Sequence, residues 1–158
     1  MEAKKEINTE RNKYQKKLNV FAIIEFIAGV VSILLGILSL TGGGFAASKT
    51  GEIINQGVAT AEEVGQVSGL FIGLGVASII TGIIHFVEGH QLKKVVNDAA
   101  QFKGAQIIVC IALLISVINL VVSIIAKKPQ DISSYALSLA IDCYVMYLIL
   151  KVKEGIKA

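Results

Sequence analysis

The apolar residues of this chain of 158 come in long blocks, not in alternation. Four stretches, at about residues 18–40, 65–87, 105–126 and 132–150, match the roughly 20 helical residues that cross ~30 Å of hydrocarbon at 1.5 Å rise per residue. None of the four contains Lys or Arg, and only Glu25 in the first and Asp142 in the last carry an acid. Strands of a membrane barrel would alternate in period two and be about half as long. A soluble bundle would need a polar outer face on each helix, which these stretches lack. The pattern therefore predicts an all-α integral membrane four-helix bundle over residues 18–150, with an N-terminal segment at 1–17 and a tail at 151–158.

The links carry their own signals. After Leu40, the run Thr41-Gly42-Gly43-Gly44 is expected to end the first helix. Within the outer loop, 41–64, Ile53 and Ile54 suggest a short surface helix, and Thr60-Ala61-Glu62-Glu63 has the form of a capping box that starts the second span a turn outside the membrane. The inner loop, 88–104, contains GHQLKKVVNDAAQFK, with apolar residues at helical spacing and three lysines. It reads as a short amphipathic helix able to lie on an anionic inner leaflet, or equally as an extension of the second-span helix. A link of only Lys127 to Asp131 makes the third and fourth spans antiparallel neighbours.

Inside the first two spans the chain repeats itself. Residues 29–40 read GVVSILLGILSL and residues 75–86 read GVASIITGIIHF, identical at six of twelve positions. Lipid offers no hydrophobic drive to join helices, so small residues that admit close backbone approach have to do it. Gly29, Ser32 and Gly36 share a stripe on the first span; on the second, Gly75, Ser78 and Gly82 form one face and Gly69 and Gly73 part of another. Two small faces make the second span the expected centre of the bundle. Opposite chain directions make the two copies halves of an antiparallel contact, or the trace of a duplication.

Charge adds orientation. Twelve Lys and Arg flank the spans on the side of both termini and three on the other, so both termini are expected in the cytoplasm of a plasma-membrane protein. The first apolar run is too long for a signal peptide and includes Glu25, so it is read as an uncleaved span. The net charge of +3 follows from this distribution, and no basic patch interleaved with aromatics points to nucleic acid.

The candidate chemistry is sparse. A charged carboxylate near a bilayer centre costs at least ~2.5 kcal/mol, so Glu25 and Asp142 need a partner, a proton, a cation or water. With His85 towards the inner rim and Asn119 near the midplane, they form a candidate proton or cation site, with interhelical hydrogen bonding as the simpler role. The chain holds none of the phosphate-loop, dinucleotide, zincin or nucleophile-elbow patterns, and His85 and His90 are five residues apart, so no metal centre, cofactor or enzyme is expected. Cys110 and Cys143 read as small apolar core residues. The expected function is a non-enzymatic structural or accessory module that packs against a second copy or a membrane partner; the alternative is a small proton or cation transporter or channel that uses the intramembrane carboxylates. The expected partners are the bilayer, anionic inner-leaflet lipids and another membrane chain.

Overall fold

A computed structural model describes residues 2–57, 59–125 and 129–157, with side chains for 9–57, 59–125 and 131–155. Lys127 and Lys128, which the charge count and the short third link both use, lie outside the described residues, as does the Ala126 end of the third span. The described residues form helices α1 (Glu2–Ser48), α2 (Thr50–Asn55), α3 (Ala61–Asn97), a 3-10 turn (Ala99–Gln101), α4 (Phe102–Ile125) and α5 (Pro129–Lys157). Four of them are long and apolar enough to cross a membrane, over Thr9–Ser48, Ala61–Asn97, Ala99–Ile125 and Asp131–Gly155. Large apolar side chains such as Leu34, Leu38, Leu70, Leu114 and Leu137 are exposed along them, as lipid-facing residues would be.

The boundaries correct one expectation and decide between two others. Thr41-Gly42-Gly43-Gly44 does not stop α1, which runs on to Ser48. The cost of about 1 kcal/mol per helical glycine is offset at Gly43 by close packing, since a Cβ there would lie 3.1 Å from the Ser68 carbonyl oxygen. No separate amphipathic helix follows the second span either: residues 89–97 are the last turns of α3. The break comes at Asp98, whose side chain accepts from the Ala100 N–H at 3.0 Å and caps the 3-10 turn. At the start of α3, Glu63 N–H donates to Thr60 Oγ1 while Thr60 N–H donates to Glu63 Oε2, a complete capping box. Gly57, at φ 66°, makes the turn from α2 with a backbone conformation that L side chains rarely adopt.

The chain divides into two compact units, residues 26–86 and residues 1–25 with 87–158. In the first, the repeated motifs meet. A Cβ on Gly36 would lie 2.7 Å from the Gly75 carbonyl oxygen and 2.6 Å from Ile79 Cγ1; one on Gly82 would lie 2.8 Å from the Gly29 carbonyl oxygen and 2.6 Å from Ile33 Cγ1. The first glycine of each copy thus faces the second glycine of the other, which is what an antiparallel crossing of two like motifs produces. Gly43 beside Ser68 adds a third rung, again seven residues along each helix. Seven-residue spacing keeps one stripe of each helix in contact at a shallow crossing angle. Phe26 and Phe86 close one end with ring centroids 5.8 Å apart. Ser32 and Ser78 are half-buried.

Within the unit of residues 26–86 the other small face of α3 is open among the described residues: a Cβ on Gly65, Gly69 or Gly73 would find no atom within 4 Å. The close glycine contacts of α3 in this unit, at Gly75 and Gly82, lie on the other face.

In the other unit, the first turns of the α1 span and the last turns of α3 pack with α4 and α5. Leu18, Ala22, Leu92, Val95, Val109, Leu148 and Ile149 form a common core with their side chains fully buried. Tyr14 packs against it, and its ring meets that of the exposed Tyr147 edge to face at 6.3 Å. Only residues 126–128 separate α4 from α5, and the two pack side by side, so they run antiparallel. Cys110 and Cys143 are exposed, a correction to their expected core position: each points away from the helix face that carries its buried neighbours Val109 and Val145.

Candidate cation site

Three residues that occupy adjacent turns of α1 and α3 carry the chemistry. His85 and Glu88 are three apart on α3, and that spacing stacks them on one helical face. Glu25 projects from α1 towards Glu88 within the unit that holds both. The ligand-bearing atoms of Glu25 and Glu88 lie within 4.8 Å of one another, and so do those of Glu88 and His85. Glu88 is 4% exposed, whereas Glu25 and His85 are half-buried. Each of the three engages another group.

Chemically, the two carboxylates offer oxygen donors to one position, and an imidazole stands one turn from Glu88 on the same helix. At ~4–5 Å, two unit negative charges repel by about 3 to 4 kcal/mol at an effective dielectric constant of 20, and a cation between them reverses that sign. Carboxylate oxygens suit Mg²⁺, Ca²⁺ and Mn²⁺, and an imidazole extends the range to Zn²⁺ and Fe²⁺. Two protein carboxylates leave coordination positions for water or for a passing substrate.

Asp142 and Asn119 do not join this group. Ser116 Oγ donates to Asp142 Oδ2 at 2.8 Å, a link between α4 and α5, with Ser116 buried. Asn119 is half-buried one turn further along α4. A hydrogen bond of this kind between membrane helices is worth about 0.6 to 2 kcal/mol. Ser116→Ala is therefore expected to destabilise the protein by about 1 kcal/mol in a detergent thermal melt, whereas Asp142→Asn, which keeps an acceptor, should cost less.

No protein-family model, curated protein or solved structure matches the chain. The site must be read from its own atoms.

Sequence reasoning placed Glu25 and His85 in the candidate site and missed Glu88. A signal for it was present: His85 and Glu88 are spaced one turn apart on a continuous helix. Glu88 stands just past the apolar stretch 65–87 and so counts as a loop residue on hydropathy alone. It becomes a site residue because α3 continues unbroken to Asn97.

Proposed function

We propose that this chain is a non-enzymatic multi-pass membrane protein that binds a small cation through Glu25 and Glu88, with His85 one turn from Glu88 on the same helix, and moves ions as a small transporter or channel. The observation that carries the reading is the approach of the Glu25 and Glu88 ligand atoms to within 4.8 Å on two helices, with His85 one turn from Glu88. Ionisable residues within a membrane-spanning segment are costly to keep, and by default they mark a candidate ion pathway. The surplus of Lys and Arg on the side of the termini supports a plasma-membrane orientation with both termini cytoplasmic and the cluster towards that side.

The test is cation flux into proteoliposomes. Wild-type protein should conduct or exchange a cation, and Glu25→Gln and Glu88→Gln should lower the rate at least tenfold. Asp142→Asn should leave it within twofold, because Asp142 is bonded elsewhere to Ser116. Absence of flux from the wild type for every cation tried would remove the transport reading.

One observation favours the second reading, a structural or accessory module that packs against another membrane chain. The open face at Gly65, Gly69 and Gly73 would admit a close-packed helix. A change in oligomeric state or in a co-purified membrane partner on Gly73→Leu, with no flux from the wild type, would favour that reading.

A further inference from the structure

A second polar site lies in the unit formed by residues 1–25 and 87–158, away from the carboxylates. It is an open cavity of about 520 Å³ lined by Asn12, Gln15, Lys16, Asn19, Lys93 and Val96. The walls are two helices, α1 just before the apolar stretch that begins at Leu18 and α3 just after the one that ends at Val87. Two specific contacts build it. Gln15 Nε2 donates to the Val95 and Val96 carbonyl oxygens at 3.1 and 3.2 Å, near the end of α3 where main-chain acceptors run out of helical partners. Lys93 Nζ donates to Asn19 Oδ1, which holds the ammonium at the cavity wall.

The lining has a single sign. It carries two ammonium groups, three side-chain amides and no acid. A neighbouring groove shares Asn12 and Lys16 and adds Lys13 and Lys17, again without an acid. Lys17 is itself engaged with α5, where its Nζ donates to the Tyr144 hydroxyl at 3.3 Å. Four lysines on two helices, next to the ends of two apolar stretches, make a concave anion site at the level expected for lipid headgroups. Basic pockets between helices at that level take the phosphates of anionic lipids. The volume lies within the range of small-molecule sites and is larger than one inorganic phosphate needs.

We infer that this cavity binds the headgroup of an anionic phospholipid, its phosphate between Lys16 and Lys93 and its polar substituent against the amides of Asn12, Gln15 and Asn19. The acyl chains then lie along the exposed apolar surface of the α1 span, where Val20, Ile23 and Ile27 are about half exposed. The site is independent of the carboxylate cluster, and it gives the twelve-to-three asymmetry in basic residues a specific ligand as well as a topological role.

The test uses the full chain in a neutral detergent, delipidated, then exposed to phosphatidylglycerol, to phosphatidylcholine, or to sodium phosphate alone. Native mass spectrometry should show one retained phosphatidylglycerol per chain and no comparable phosphatidylcholine adduct. Lys16→Gln should weaken binding about fivefold, and Lys16→Gln with Lys93→Gln about 25-fold, from the roughly fivefold that each basic residue near an anionic surface contributes. Lys49→Gln, on the other flank of the first span, should bind as wild type. Thermal melts without lipid check that each variant is folded; Lys16, exposed and remote from the core, serves as the variant that folds if Lys93→Gln does not. Equal binding of the two lipids, or unchanged affinity in folded Lys16→Gln, would overturn the inference. So would saturation by millimolar phosphate that displaces the lipid completely, because that would make the site one for free phosphate.

Discussion

Gly82→Leu and Gly36→Leu are expected to lower stability by about 3 kcal/mol or more each. Overpacked cores in general lose about 1 to 3 kcal/mol because side chains yield by changing rotamer. Here the obstacle is main chain. Even the first carbon of a side chain at Gly36 or Gly82 would lie 2.7 or 2.8 Å from a carbonyl oxygen of the facing helix, so the helices themselves must separate. The loss then spreads to the neighbouring rungs at Gly29, Gly43 and Gly75. Gly69→Leu is the matched control: a Cβ there meets no atom within 4 Å, and the added helix propensity makes the change neutral or slightly stabilising within the monomer. Detergent melts of the three variants check this. Wild-type stability in both Gly36→Leu and Gly82→Leu would mean that the crossing does not hold the two helices together.

Glu88→Gln is expected to abolish stabilisation by a divalent cation. A cation that binds only the folded protein raises its stability by about 2.7 kcal/mol at a hundred times its dissociation constant. Wild-type protein should therefore melt higher as Mn²⁺ or Zn²⁺ is added, whereas Glu88→Gln should melt at one temperature throughout. Glutamine keeps the size and hydrogen-bonding capacity of the side chain and removes one charged ligand, so the fold should survive. Glu25→Gln should behave alike, because its carboxylate faces Glu88 from the other helix. His85→Gln should weaken Zn²⁺ more than Mn²⁺, since imidazole contributes more to the softer ion. Equal cation-dependent shifts in all four proteins would place the bound cation elsewhere.

Much of the fold was legible from hydropathy, because four blocks without Lys or Arg leave few alternatives to four long helices. The repeated glycines were legible as a packing device for the same reason, since a small residue at i and i+7 on an apolar helix has little other use. Less legible were helix ends outside the apolar blocks. Gly42 to Gly44 read as a stop signal, yet Gly43 is held in α1 by its contact with Ser68 and Phe71, a tertiary effect that no local rule contains. Residues 89–97 looked divisible from the second span because a change from apolar to charged composition resembles a boundary. Helical hydrogen bonding ignores that change, and it carried Glu88 into the site.

The site was half legible. Glu25 drew attention because an acid in an apolar block is costly, and His85 because it stands where the second copy of the repeat departs from the first. Asp142 drew attention on the same grounds, but its neighbour across the α4–α5 contact is Ser116. Which acids converge depends on helix rotation and on the offset between neighbouring helices. One sequence reveals neither, just as it does not reveal the register of the glycine rungs until the pairing of Gly36 with Gly75 is known.

A cation held by Glu25 and Glu88 is tested most directly by equilibrium dialysis of the purified protein against Mn²⁺, with bound metal counted per chain. One Mn²⁺ per wild-type chain is expected, with at least a tenfold loss of affinity in folded Glu25→Gln and Glu88→Gln, and Asp142→Asn unchanged. No stoichiometric metal in the wild type under conditions where it is folded, or equal binding in the two glutamine variants, would contradict it.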